Sequence, residues 1–374
     1  MSGLTSRFLD LDQLAARRAE WAWLAANALE PNPFYGPDLL LPALRLELDP
    51  HPTQLLAVER HGRLAGLFPL QRPFLRDGAM SLGWTLYRDA LTCLTTPIIE
   101  REAPQEVLAS ALSHLAACVG PGALVLPILA AERPFARLLA EHGERNNHAS
   151  RRLREWERPV ILRGQSIGDE LRKSIEKKRR KLEKSSVLDI IRVSSGDAEL
   201  PKLLEFFLAI EMASWKGRGG TAIRNLPAME AVVQAIATAR EASPGMMIEA
   251  LMIDGEPVAI NLNLVVGGTI HTVKSTYNEA FAMHSPGRLL DSRAFDLVGP
   301  EIGAELVDSC AGPGHPLLDL WPHRQAMATF ALALRPAGRL NLAGLALGGA
   351  LSDHVRRWRY RETYTTRKTR RMAA

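Results

Sequence analysis

MIEALMIDGEPVAINLNLVVGGTIHTVKSTYNEAFAMHSPGRLL, residues 247–290, decides how this chain is read. Three runs of apolar and β-branched residues are separated by Asp254-Gly255 and Gly267-Gly268, pairs that suit tight turns between antiparallel strands. The pattern predicts three consecutive strands. PGRLLDSRAFDLVG then reads as a helix with proline near its start, where the missing N–H costs nothing.

Outward from this stretch the signals stay regular. VLDIIRVSS (187–195) is a predicted strand, AELPKLLEFFLAIEMASW (198–215) and LPAMEAVVQAIATAREA (226–242) are helices, and AELVDSCA (304–311) is a buried strand. The first half offers the same order. LDQLAARRAEWAWLAANAL (11–29) has a helical pattern and a second apolar stretch follows in YGPDLLLPALRLEL (35–48). TQLLAVERHGRLAGLFPLQR (53–72) is a hairpin around His61-Gly62, and SLGWTLY (81–87) and DALTCLTTPII (89–99) are further strands. EVLASALSHLAACV (106–119) is then a helix and ALVLPIL (123–129) a strand. RHGRLAG and IDGEPVA even place small apolar residues at the same distance after the turn glycine. The expectation is a duplicated α/β unit divided near REWERPVILRG (154–164), with modules at 1–158 and 159–340 and a C-terminal helix and basic tail at 341–374.

At 374 residues, 47% of them apolar, the chain has length for two cores. No apolar run is long enough to span a bilayer, and MSGLTSRFLDLDQ lacks the order of a secretion signal, so a cytoplasmic location is expected. Cys93, Cys118 and Cys310 are scattered and odd in number, which argues against a disulfide framework and a cysteine-based zinc site. The net charge of +5 is concentrated in KSIEKKRRKLEKS (173–185) and RRWRYRETYTTRKTRR (356–371). In the first of these, Leu171, Ile175 and Leu182 share a helical side, and Glu176 and Glu183 are spaced to pair with Arg179 and Arg180. No aromatic platform is interleaved with the cations, so a solvated connecting helix is preferred to a nucleic-acid contact. The tail joins an apolar stretch to Arg356, Arg357, Trp358, Arg359 and Arg361. That combination suits anionic lipid head groups or simply a basic surface tail.

Three phrases carry a family resemblance: Trp215-Lys-Gly-Arg-Gly-Gly-Thr-Ala222, Lys274-Ser-Thr-Tyr-Asn-Glu-Ala-Phe-Ala282 running into Ser285-Pro-Gly-Arg-Leu-Leu290, and Asp308-Ser-Cys310. With the order of elements in 187–310 they resemble the GCN5-related N-acetyltransferase (GNAT) superfamily. The similarity is to the branch with the cellulose-biosynthesis-associated acetyltransferases, related to the Fem-type aminoacyltransferases. The resemblance implies an α/β (α+β) fold of tandem GNAT-like modules, each a mixed, mainly antiparallel sheet flanked by helices. It also implies an acyl-coenzyme A donor, no metal, and one donor site, in the second half. Some bacterial enzymes that resemble this family acylate long-chain amino alcohols, as in ceramide formation. A lipid-like or envelope amine is therefore the expected acceptor, and peripheral attachment at the inner membrane is compatible with it.

The residues support specific roles. Ser285, Pro286, Gly287, Arg288, Leu289 and Leu290 open a helix whose unpaired N–H groups and dipole favour a phosphate. In acyl transfer to an amine, a base takes the amine proton and an acid helps the thiolate depart. Tyr277 is the candidate acid or a packing aromatic, and Lys274 a contact for substrate charge or a solvent-facing strand lysine. Asp308 and His271 are the candidate bases, ahead of Glu211, His315 and His323. Trp215, Lys216, Arg218 and Gly219 form either a substrate-binding loop or a helix cap and turn. Two further readings remain open: a Fem-like transferase using charged tRNA, and a non-catalytic binder of anionic surfaces.

Overall fold

The structure is a computed structural model that describes residues 3–72, 83–119, 122–184, 186–239, 243–313 and 315–346. The first half runs β1 (Leu4–Leu9), α1 (Leu11–Ala16), α2 (Arg18–Ala26), α3 (Pro37–Arg45), β2 (Thr53–Arg60), β3 (Arg63–Gln71), β4 (Gly83–Leu86), β5 (Ile98–Ile99), α4 (Pro104–Val119), β6 (Ala123–Ala130), α5 (Pro134–Arg145) and β7 (Ser150–Leu162). The second half runs α6 (Asp169–Glu183), β8 (Leu188–Ser194), α7 (Leu200–Ala213), α8 (Trp215–Arg218), α9 (Pro227–Thr238), β9 (Gly245–Ile253), β10 (Glu256–Val266), β11 (Thr269–Tyr277), α10 (Pro286–Ser292), β12 (Leu306–Asp308) and β13 (His323–Ala333).

All of these strands belong to one 13-stranded sheet in the order β1-β2-β3-β4-β6-β13-β7-β12-β11-β10-β9-β8, with β5 on the side of β3. The fold class is the expected mixed, mainly antiparallel sheet flanked by helices. Each half contains one parallel pair, β4 with β6 and β11 with β12. The centre of the sheet is an exchange: β7, from the first half, lies against β12, while β13, from the end of the chain, lies against β6. The boundary expected between residues 158 and 159 falls inside β7. The basic tail lies outside the described residues from 347 onward.

Local chemistry explains the hairpins. His61 and Gly62, Asp254 and Gly255, and Gly267 and Gly268 all have positive φ, the backbone that lets a two-residue turn follow the twist of its strands. The helix expected over 11–29 is instead two. Asp10 and Gln13 close a capping box on α1, and the helix breaks at Arg17, whose side chain pairs with Glu20 at 2.8 Å and with Glu59. DALTCLTTPII contributes only the short β5, because most of that segment turns through side-chain bonds from Asp89 to Leu91 and Thr92.

One continuous apolar core joins Trp21, Phe34, Phe68 and Trp84 to Phe207, Ile223 and Met229. The basic stretch forms α6, with Leu182 buried and Ile175 packed beneath α10, and its Glu176 bonds Arg179 at 2.8 Å. Among the described residues, no helix is long and apolar enough to cross a membrane.

Candidate active site

The site arises where two neighbouring strands part. β12 pairs with β11 over His271, Ile270 and Thr269 and stops at Asp308, whereas β11 runs on to Tyr277. Beyond His271, the β11 edge that faces away from β10 therefore has no strand beside it among the described residues.

Three polar side chains from adjacent strands lie at the floor of this fork. His271 on β11, Asp308 on β12 and Arg158 on β7 are each no more than 2% exposed. Arg158 donates to Asp308 Oδ2 at 3.3 Å, to Ala311 O at 3.2 Å and to Cys93 O at 3.0 Å. His271 Nδ1 stands 3.9 Å from the same Asp308 oxygen, and neither ring nitrogen has a hydrogen-bond partner among the described residues. Burial pushes the His271 pKa down to about 4, so the ring is neutral at pH 7. Asp308 Oδ1 accepts from the Cys310 N–H at 2.8 Å, and burial pushes the Cys310 thiol up.

A second group covers the open edge of β11. Glu211, fully buried on α7, accepts from Ile223 N–H at 2.8 Å and from Lys216 Nζ at 3.3 Å, with Lys274 Nζ at 4.0 Å. Lys216 also reaches the Ser275 carbonyl. Its pKa is lowered, first by burial and then by Lys274, although Glu211 opposes both. His315 is shifted down by burial and by Lys216. The expected binding loop WKGRGG is in fact largely helical, as α8. Gly217 is required there because a Cβ would fall on the Met212 carbonyl. Arg218 pairs with Glu279 at 2.8 Å, Gly219 ends the helix, and Trp215 remains 57% exposed.

The third group is the turn into α10. Ser285 has φ 53° and Pro286 follows, leaving the N–H groups of Gly287 and Arg288 without partners among the described residues. A Cβ on Gly287 would lie 3.7 Å from the Tyr277 ring. Lys178 of α6 donates to Ser285 Oγ at 3.1 Å, which brings the basic helix to this corner. Pro286, Leu289 and Leu290 are buried, the two leucines in a cluster with Leu182 and Val258.

Asp291, further along α10, accepts from Asn261 at 3.2 Å, and burial pushes its carboxyl up to about 7. The folded protein thus holds a proton that the unfolded chain releases near pH 4. Stability is accordingly full below the ordinary carboxyl range and falls as pH rises from about 4 to about 7. Asp291→Asn is expected to abolish that decline, gaining no more than about 4 kcal/mol at pH 8 and little at pH 4. Urea unfolding at the two pH values measures it.

Sequence reasoning did not assign roles to Arg158, Lys178 or Cys310. Arg158 had one available signal, a lone cation at the edge of the apolar run PVIL. His323 is exposed at the start of β13 and takes no part in the three groups. A cavity of about 430 Å³ lined by Asp49, Arg88 and Asp89 lies in the first half and includes none of these residues.

Residues 169–311 match the family described as Acetyltransferase (GNAT) domain. No curated protein matches the chain. Among solved structures, the chain is similar to the C-terminal domain (DUF2156) of a putative lysylphosphatidylglycerol synthetase from Agrobacterium fabrum. The TM-score is 0.53 at 13% identity, covering 90% of this chain and 96% of that one. FemX is similar with TM-score 0.52 at 10% identity, covering 91% and 99%. A conserved protein of unknown function from Bacteroides thetaiotaomicron gives 0.53 at 10%, covering 88% and 99%. At these identities the likeness concerns fold alone. Residues 169–311 are thus similar to the acetyltransferase (GNAT) domain family, and the chain as a whole shares its fold with the solved structures named above.

Proposed function

We propose that the chain is an acyl-coenzyme A-dependent N-acyltransferase. The observation that carries this reading is the fork between β11 and β12, inside the matched domain, with a neutral buried histidine at its floor. The donor diphosphate lies against the free N–H groups of Gly287 and Arg288, with the Arg288 side chain and Lys178 adding positive charge. Its thioester end enters the fork. There His271 takes the proton released as an amine attacks the thioester carbonyl, and Tyr277, beside Gly287, protonates the departing thiolate. Asp308 faces the ring and supports the imidazolium as it forms. Lys216 and Lys274 hold substrate charge along the open edge, beside Trp215. The acceptor is an amine, of the lipid-like amino alcohol or envelope polysaccharide class, approaching between the two halves, with the basic tail as the element that meets an anionic membrane.

Isothermal titration with acetyl- and longer acyl-coenzyme A tests the donor. Gly287→Asp puts a carboxylate among the diphosphate's donors and is expected to weaken binding at least about tenfold, whereas Gly287→Ala, which meets only the Tyr277 ring, changes it little. Absence of binding for every chain length overturns the reading.

The exposed cations of α6 beside the α10 corner favour one second reading, a donor that is itself a polyanion such as charged tRNA. Aminoacyl transfer from charged tRNA, with no transfer from acyl-coenzyme A, would select it.

A further inference from the structure

We propose that Cys310 is a nucleophile that carries the acyl group as a thioester between donor and amine, with His271 as its base and Asp308 as the residue facing that base. The inference rests on the acyl-transfer reading above and deepens it, replacing direct attack of the amine on the donor with two successive transfers.

The geometry of the fork carries it. Ligand atoms of His271, Asp308 and Cys310 all lie within 4.8 Å of one another. His271 is 2% exposed and both its nitrogens lack partners among the described residues, an expensive arrangement for a purely structural side chain and an available one for a base. Cys310 has φ 53°, a left-handed backbone that a non-glycine residue adopts only when its surroundings impose it. That residue comes two positions after the end of β12, held there by its N–H bond to Asp308 Oδ1. Ser309, Ala311 and Gly312 flank it with small side chains. A nucleophile on a strained turn directly after a strand, beside a histidine and a carboxylate, is an arrangement that acyl-transfer enzymes reach on unrelated folds.

The same three residues also carry the ligand types of a cation site. Arg158 argues against it: its guanidinium sits 3.3 Å from Asp308 Oδ2, the very oxygen that faces His271, and repels a second cation there. At rest the thiol is protonated and the imidazole neutral, which is the state from which a base-assisted attack begins.

The steps balance without a redox partner. His271 takes the Cys310 proton as the sulfur attacks the thioester carbonyl. The tetrahedral adduct expels the coenzyme A thiolate, which leaves as the thiol with that proton, and the acyl group remains on Cys310. An amine then attacks the new thioester, His271 takes the amine proton, the C–S bond breaks, and Cys310 regains its proton as the amide departs.

The test is donor-only incubation of the full chain. Acetyl- or longer acyl-coenzyme A, or the small N-acetylcysteamine thioester of the same acyl group, is added without amine, and the quenched protein is read by intact mass and peptide mapping. The expected result is one acyl group on the Cys310 peptide, removed by neutral hydroxylamine. Cys118→Ser, which removes the exposed cysteine, should retain it, Cys310→Ser should lose it, and His271→Ala should slow it at least about a hundredfold. Circular dichroism establishes that the variants fold. Amide formation with Cys310 unmodified and turnover kept in Cys310→Ser would overturn the nucleophile and leave the acyltransferase standing. Stoichiometric bound metal that disappears in Cys310→Ser would overturn it in favour of a cation site. Absent coenzyme A binding sinks the donor reading alone, because the small thioester still decides whether Cys310 is acylated.

Discussion

Arg158→Ala is expected to lower the free energy of unfolding by about 3–5 kcal/mol, because it leaves a charged partner buried without compensation. The guanidinium is 2% exposed and links three separate segments: the Asp308 side chain, the Ala311 carbonyl and the Cys93 carbonyl. Burial works against its charge, yet the adjacent Asp308 carboxylate opposes this and its pKa is raised. Alanine strands all three acceptors at once. Chemical denaturation with a folded-state signal from tryptophan measures the loss. Replacing the pair together, Arg158→Met with Asp308→Leu, should recover the part due to the unpaired charge, while the Ala311 and Cys93 carbonyls and the Cys310 N–H still lack partners. A loss below about 1 kcal/mol for the single variant would show that water reaches this ion pair after all.

Glu211→Ala should cost a similar amount, about 3–5 kcal/mol, and its pH dependence distinguishes it. The carboxylate is fully buried and faces two lysines that are each about four-fifths covered. Without it, Lys216 and Lys274 repel one another and the Ile223 N–H loses its acceptor. Lys216 already sits below its ordinary pKa, and the variant lowers it further. The folded variant then binds fewer protons than the unfolded chain, so its stability rises with pH from neutrality to about 10. The parent should be flatter across that window. A variant as stable as the parent at pH 7 would contradict the assignment of Glu211 as the anchor of the lysine pair.

Much of this was legible in the sequence because it is local. Asp254-Gly255 and Gly267-Gly268 declare their turns, α7 and α9 show helical spacing, and Pro286 marks a helix start. The parts that stayed hidden depend on distant partners. β7 is rich in charge over its first nine residues, SRRLREWER, and does not look like a central strand until β13 lies beside it. β13 itself follows a long proline-rich connection and carries no turn signal tying it to β6. The break at Arg17 answers to Glu59, far along the chain. Among the site residues, Tyr277, Asp308, Lys274 and Lys216 were named from their phrases, and His271 from its place on the strand before Lys274. Their grouping into a buried trio and a lysine pair follows from β11 and β12 diverging, which no spacing in the sequence encodes.

The interleaving of β7 and β13 also limits how the protein can open. Two halves sewn together by traded strands cannot swing apart about a hinge without tearing main-chain bonds in the middle of the sheet. An acceptor of the proposed transferase would therefore enter between the halves at the rim of the sheet, without a hinge opening through its centre.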